Sequence, residues 1–332
     1  MLHTKALRYS TDRSITIWQL KEADPQMCPD LSQVTRYCQT HDIHTMLADQ
    51  EGFHYKFQCI RPKPYLLYLM GDISVLDRQI LAVVWPRKIS EYGKKVVWHL
   101  LEQIWHYDLV TISGLADGVD MICHTGSLDH HVPTIAILGG GIHHFLQWEK
   151  RHIIDRIIAH GGLVISEYKL DAKPTHYTFP QRNRVIAGLA HTILIPEAGI
   201  DSGSLITANY ALSYHKPVYG VMNSIFQTNS SGLLDYIQQW LIKPIYQIEY
   251  MLKQHFISKQ DSQSQSHIQT IPNLDHIQQS VYHHIACHPE STIDQILQHH
   301  QIDIAECQTA LSYLEMYDLI FQHKPGIYSV HR

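Results

Sequence analysis

The apolar positions of this chain change their rhythm near residue 80. From there to residue 221, short aliphatic and β-branched runs recur, each closed by a turn residue and followed by helical spacing. The runs are ILAVVW (80–85), LVTIS (109–113), TIAIL (134–138), LVIS (163–166), TILIP (192–196) and PVYGV (217–221). They read as continuous apolar runs, the pattern of strands covered on both faces. Six such strands alternating with helices predict a mostly parallel sheet. Right-handed crossovers then make it an extended Rossmann-like, doubly wound α/β fold, whose ligands bind beyond the carboxyl ends of the strands.

The flanks read differently. Two or three helical segments, around IWQL and LSQVTRYCQTHDI, predict a small N-terminal helical (SAM-like) domain over residues 1–62, ahead of the Rossmann-like domain at 63–257. Residues 258–273, SKQDSQSQSHIQTIPN, are polar and aperiodic, the composition of a linker. After it come three helical segments and a short hairpin in FQHKPGIYSV, the order of a winged-helix domain over 274–332. Its third helix carries Asp303, Glu306, Glu315 and Asp318 and has no Lys or Arg between 303 and 320. Reading duplex DNA requires phosphate neutralisation, so this module is expected to contact protein or to modulate.

Composition narrows the classes. A chain of 332 residues with 45% hydrophobic content is long enough for more than one domain. A formal charge of -5 excludes a general cationic coat, so any polyanion site must be local. The sequence shows no apolar run of the ~20 residues a bilayer span needs and no basic-then-apolar leader, which predicts a soluble, cytoplasmic protein away from the membrane. Six scattered cysteines without a CxxC pair fit reduced thiols. The 26 histidines fall as doublets without HExxH or Cys/His spacing, and no metal is expected.

The candidate chemistry gathers at one edge of the predicted sheet. WPRKISEYG follows the first strand in place of GxGxxG, and no GxxxxGK[ST] occurs, which disfavours a dinucleotide cofactor and P-loop hydrolysis. Instead Arg87 follows the first strand, Gly114 the second, Gly139 and Gly141 the third, and Ser202, Gly203 and Ser204 the fifth. Such turns either serve local geometry or bring backbone N–H groups to an anion. FPQRNRVIAG (179–188) reaches the same edge with Phe179, Arg182, Asn183 and Arg184. Arginine forks onto phosphate, and phenylalanine stacks on an unpaired base. The alternative is structural: Asn183 caps backbone, Phe179 packs in the core, and the arginines pair with Glu167 or Glu197. Lys150 and Arg151, opening the helix after the third strand, and Lys173, before Phe179, are secondary candidates.

SGLADGVDMICHTGSL, IAILGGGI, ISEY, FPQRNRVIAGL and EAGIDSGSLITANYAL, in this order over residues 65–240, resemble the DNA-processing protein A family, DprA or Smf. The resemblance implies a homodimer that binds and protects single-stranded DNA without hydrolysing it and loads the recombinase RecA on it in natural transformation and DNA recombination. By position, the family's Gly-Ser/Thr-Arg motif falls on Trp85, Pro86 and Arg87, where only the arginine matches. Its YPxEN stretch falls on 146–150, where only Glu149 matches, and Met222, Asn223 and Ser224 replace a usual Pro-Gly. These departures describe a divergent member with a remodelled pocket. Two other classes compete. A LOG-type nucleotide phosphoribohydrolase needs PGGxGTxxE, and PEAGIDSGSLITA lacks the GT and the closing glutamate, so no catalytic residue is assigned. A winged-helix transcription regulator is opposed by the acidic third helix.

Overall fold

The computed structural model describes residues 31–48, 52–84, 86, 89–116, 119–149, 151–259, 274–287, 291–300, 302–316, 319–324 and 326–330. The chain divides into two compact units, Met1–Gln260 and Asp261–Arg332.

In the first unit the six expected strands are β3 (Gln79–Val83), β4 (Leu109–Ser113), β5 (Thr134–Ile137), β6 (Leu163–Ser166), β7 (Thr192–Ile195) and β8 (Val218–Val221). Three more join them: β1 (Ile43–Leu47), β2 (Leu66–Gly71) and β9 (Lys243–Ile245). The sheet order is β1-β2-β6-β5-β4-β3-β7-β8-β9. From β6 to β9 every pairing is parallel, whereas β1 and β2 run antiparallel at one margin. Residues 43–47 thus form the outer strand of the main sheet, although the sequence pattern groups them with the helical domain over 1–62. IHTML is too short and too weakly alternating to announce a strand by itself; its pairing with Leu66–Met70 makes it one. At the other margin, Lys243 and Pro244 suit an edge, because proline lacks a ladder donor and lysine repels added strands.

The helices of this unit are α1 (Leu31–Thr40), α2 (Glu91–Ile104), α3 (Val119–Asp129), α4 (Ile142–Leu146), α5 (Arg151–Ala159), α6 (Thr178–Leu189), α7 (Gly203–Ser213), α8 (Ser231–Gln238) and α9 (Ile248–His255). Strand side chains alternate between two faces. Ile80, Ala82, Ile112 and Ile193 pack with Val185, Ile186 and Leu189 of α6 and with Leu205 and Ala208 of α7. Leu81, Val83 and Leu194 pack on the other face with Val97, Leu100 and Leu101 of α2 and Met251 and Leu252 of α9. Nearer β2, Tyr68, Ala136 and Val164 meet Ile153, Ile154 and Ile157 of α5. Each fully buried Leu or Ile contributes about 1.5–3 kcal/mol, so this double cover is what turns uninterrupted apolar strands into a sheet centre.

The chain leaves β3 through α2 toward β4, and later returns through α6 to β7 on the opposite side of β3. Connections that depart in opposite directions open a crevice at the carboxyl ends of β4, β3 and β7.

The second unit contains α10 (His276–Cys287), β10 (Ser291–Thr292), α11 (Ile293–His300), α12 (Ile304–Met316), β11 (Ile320–Lys324) and β12 (Ile327–Val330). Its antiparallel sheet has the order β10-β12-β11, and Val281, Ile285, Ile296, Leu311 and Leu314 form its core. All three helices begin with a reciprocal cap. Asp275 accepts from the Gln278 N–H at 2.8 Å while Gln278 reaches back at 3.0 Å, and Thr292 with Gln295 and Asp303 with Glu306 repeat the device. Two of the acids noted on the third helix therefore serve its N-terminus.

Candidate functional site

An open cleft of about 400 Å³ occupies the crevice. Val84 and Pro86 reach it from beyond β3, Ser113 from the last position of β4, and Ala116 and Asp120 from beyond that strand. Residues 201–204 and Ile206 close the β7 side, and His176, Phe179, Pro180, Arg182, Asn183 and Ile186 contribute from α6 and its leading loop.

Of the sequence candidates, Phe179, Arg182, Asn183, Ser202, Gly203 and Ser204 line this one cleft. Phe179 is half-buried, and its ring lies over Gly139, where an added Cβ would sit 2.9 Å from Cδ1. The Arg182 guanidinium carbon lies 5.8 Å from the same ring's centre. Asn183 Nδ2 donates to the Gly203 carbonyl at 3.4 Å, tying α6 to the start of α7. Ser202 caps α7: its Oγ accepts from the Ser204 N–H at 3.3 Å and contacts Ser204 Oγ at 2.6 Å.

The two arginines are not held as the phosphate-forking reading expects. Arg182 is 4% exposed; its Nη1 donates to the Gly114 and Ile137 carbonyls, and its Nε donates to Asn183 Oδ1 at 3.2 Å. Burial lowers its pKa, with Asp120 and Tyr168 opposing. Arg184 is 6% exposed and pairs with Glu167 at 2.5 Å. Burial raises the Glu167 pKa and the Arg184 charge opposes that rise. Arg184 therefore follows the structural alternative, with Glu167 as its partner. Glu197 instead accepts from Ser90 N at 2.9 Å and from Ser90 Oγ, joining the end of β7 to the cap of α2. Desolvating a guanidinium costs several kcal/mol unless it is paired, which the inward hydrogen bonds of Arg182 and the Glu167 partner of Arg184 provide.

The strand-edge glycines make room for side chains. Gly114 lies against the Arg182 guanidinium and Gly139 against Phe179, while Gly141, which precedes α4, abuts the Lys169 carbonyl. Lys173 is exposed in the loop that carries His176, and Arg151 is exposed and pairs with Asp155 at 3.5 Å; neither lines the cleft. Arg87 and Lys150 lie outside the described residues.

Four polar cleft residues escaped the sequence reading: Ser113, Asp120, His176 and Asp201. Asp120 sits in SGLADGVD and accepts from Ser113 Oγ at 2.9 Å and Ala116 N at 3.1 Å. Asp201 immediately precedes the SGS turn, so its position next to a strand-end motif was the available signal. The His176 ring lies tilted at 41° against that of exposed Tyr177, with centroids 3.8 Å apart. Among the described residues, no group of three or more His, Cys, Asp or Glu is arranged to hold a metal ion, and no helix is long and apolar enough to cross a membrane.

A family model described as DNA recombination-mediator protein A matches residues 44–255. The DNA processing protein DprA of Bacillus subtilis is 31% identical over 239 residues, 72% of this chain and 80% of the relative. That of Streptococcus pneumoniae is 33% identical over 213 residues, 61% of this chain and 75% of the relative. The X-ray structure of DNA processing protein A from Streptococcus pneumoniae superposes with a TM-score of 0.61 at 27% identity, covering 74% of this chain and 83% of that one. A structure of DNA processing protein A from Helicobacter pylori, described for its single-stranded DNA binding mode, gives 0.56 at 27% identity and covers 64% and 94%.

Proposed function

The chain belongs to the DNA recombination-mediator protein A family, and from that premise we propose that it binds single-stranded DNA across the cleft at the carboxyl ends of β4, β3 and β7. The observation that carries this reading is the grouping at one sheet edge of the half-buried Phe179 ring, the Asn183 amide and the start of α7. A stacking face beside hydrogen-bonding groups suits an unpaired base, whose ring faces and Watson–Crick edge are free, whereas pairing and stacking in a duplex occupy both. In this assignment Phe179, Asn183, Ser202 and Gly203 meet the strand. Arg182 and Arg184 hold α6 in place, and Arg87, Lys150, Arg151 and Lys173 serve the phosphates around the rim.

The finer parts of the proposal follow the family. The protein acts in the cytoplasm, protects the incoming strand during natural transformation, loads RecA on it and performs no catalytic step. It works as a homodimer. Supporting a second copy, β9 ends the sheet, and the loops beyond β8 and β9 expose Met222, Ile225, Phe226 (87% exposed) and Tyr246 (86%). The second unit acts as a winged-helix module that contacts protein, since the described solvent face of α12 carries no cation.

Fluorescence anisotropy with one 20-mer, offered single-stranded and as duplex at low and moderate salt, tests the reading. The single strand is expected to bind at least tenfold tighter and to weaken as salt rises through counterion release. Equal affinity for the duplex overturns it.

A further inference from the structure

Resting on the single-stranded DNA reading, we propose that the cleft receives an unpaired nucleobase bearing an exocyclic amino group, with the Asp201 carboxylate as its acceptor and the phosphates outside. The described lining carries two carboxylates, Asp120 and Asp201, and one permanent cation, Arg182, whose Nη1 is turned to backbone carbonyls. Among the described residues, a phosphate placed in this cleft would meet the Asp120 and Asp201 carboxylates. Val84, Pro86, Pro180, Ile186 and Ile206, together with the Phe179 ring, instead offer apolar walls to the faces of a heterocycle. A cleft of about 400 Å³ has the size of a small-ligand site.

The two carboxylates differ in what they have left to give. Asp120 is engaged by Ser113 and Ala116, whereas Asp201 has no hydrogen bond or ion pair to the described residues and is exposed. An unoccupied carboxylate beside an apolar slot selects ligands that present N–H groups. Cytosine offers N4–H₂, adenine N6–H₂, and guanine N2–H₂. Thymine has only N3–H, flanked by two carbonyl oxygens that repel a carboxylate. Because Asp201 is solvent-exposed, the selectivity is expected to be several-fold. Asp201 is thus a specificity residue for the base, and the strand enters base-first.

Anisotropy of the intact protein with labelled dC₁₂, dT₁₂ and a twelve-unit abasic strand of the same charge tests this. Expected are at least fivefold tighter binding of dC₁₂ than of dT₁₂, weakest binding of the abasic strand, and a dC₁₂/dT₁₂ ratio within twofold of unity in Asp201→Ala. That side chain lacks a described partner, and a thermal melt checks the fold of the variant. A wild-type ratio at or below one, an unchanged ratio in the variant, or an abasic strand bound as tightly as dC₁₂ overturns the inference while leaving single-stranded binding standing. Failure of all three strands to bind removes the function proposed above and this inference with it.

Discussion

The guanidinium of Arg182 fills the space into which a Cβ on Gly114 would project, since that atom would lie 2.2 Å from Nη1. The glycine beyond β4 and the arginine of α6 are therefore one device. With its second bond to the Ile137 carbonyl, the side chain ties the ends of β4 and β5 to the helix that carries Phe179 and Asn183.

Gly114→Ala is expected to cost ~1–3 kcal/mol, the penalty of pulling a buried donor off its acceptors. Urea denaturation measures it. In an Arg182→Ala background the same change should cost under half as much, because nothing remains to be displaced. Additive losses would refute the pairing.

Arg184→Met leaves the half-buried Glu167 without its cation, and a loss of about 3 kcal/mol, the low end for a desolvated pair, is expected. The double variant Arg184→Met, Glu167→Leu should recover most of it, since an apolar pair of similar volume replaces a desolvated ion pair at little net cost. Failure of the double variant to recover stability would mean that the pair does more than satisfy itself. The Arg184 Nη1 atom is buried with no acceptor among the described residues, which limits what the native pair contributes.

Two neutral histidines, His124 buried and His191 half-buried, make stability depend on pH. Burial, aided by Lys56 and Lys216, pushes His191 down to about 3; burial pushes His124 to about 4, with Asp120 opposing and Arg182 assisting. The neutral Nδ1 of His191 accepts the Ile80 N–H at 2.8 Å, a bond that protonation abolishes. Both folded values lie below the unfolded value near 6.5, so this stabilisation is complete above that pH and is lost as pH falls toward the folded values. Each histidine contributes a slope of about 1.4 kcal/mol per pH unit in that window. Denaturation at pH 7.5, 6.5 and 5.5 reads it, and His191→Gln, which keeps an acceptor without titrating, should reduce the slope by about that amount below pH 6.5.

Phe179→Ala should weaken single-stranded DNA binding by roughly tenfold or more, as stacking contributes ~1–3 kcal/mol per base. Phe179→Tyr keeps a ring and should stay within threefold of wild type. Anisotropy at fixed salt checks both, and equal loss in the two variants would argue for a packing role beside Gly139.

The parallel strands and the edge where they converge were legible because their cause is local: a strand covered on both faces must be apolar throughout, and the chain must turn where it ends. The margins were not. β9 is three residues with a proline, and β1 becomes a strand only by pairing with β2. That Phe179, Asn183 and the SGS turn line one cleft was legible because each sits beside a strand end in the sequence, yet how the side chains of FPQRNRVIAG are held was not. An arginine at a sheet edge has the same local pattern whether it faces solvent or backbone.

The order of apolar runs and turns by itself determined the sheet, its carboxyl edge and the grouping of Phe179, Asn183 and Ser202 there, since periodicity and turn chemistry act over a few residues. Only the tertiary structure decided that Arg182 and Arg184 point inward and that Asp201 has no partner among the described residues of the cleft. The Gly114 and Ile137 carbonyls and the Glu167 carboxylate that hold the two guanidinium ends lie 17 to 68 positions away, and no local pattern records them.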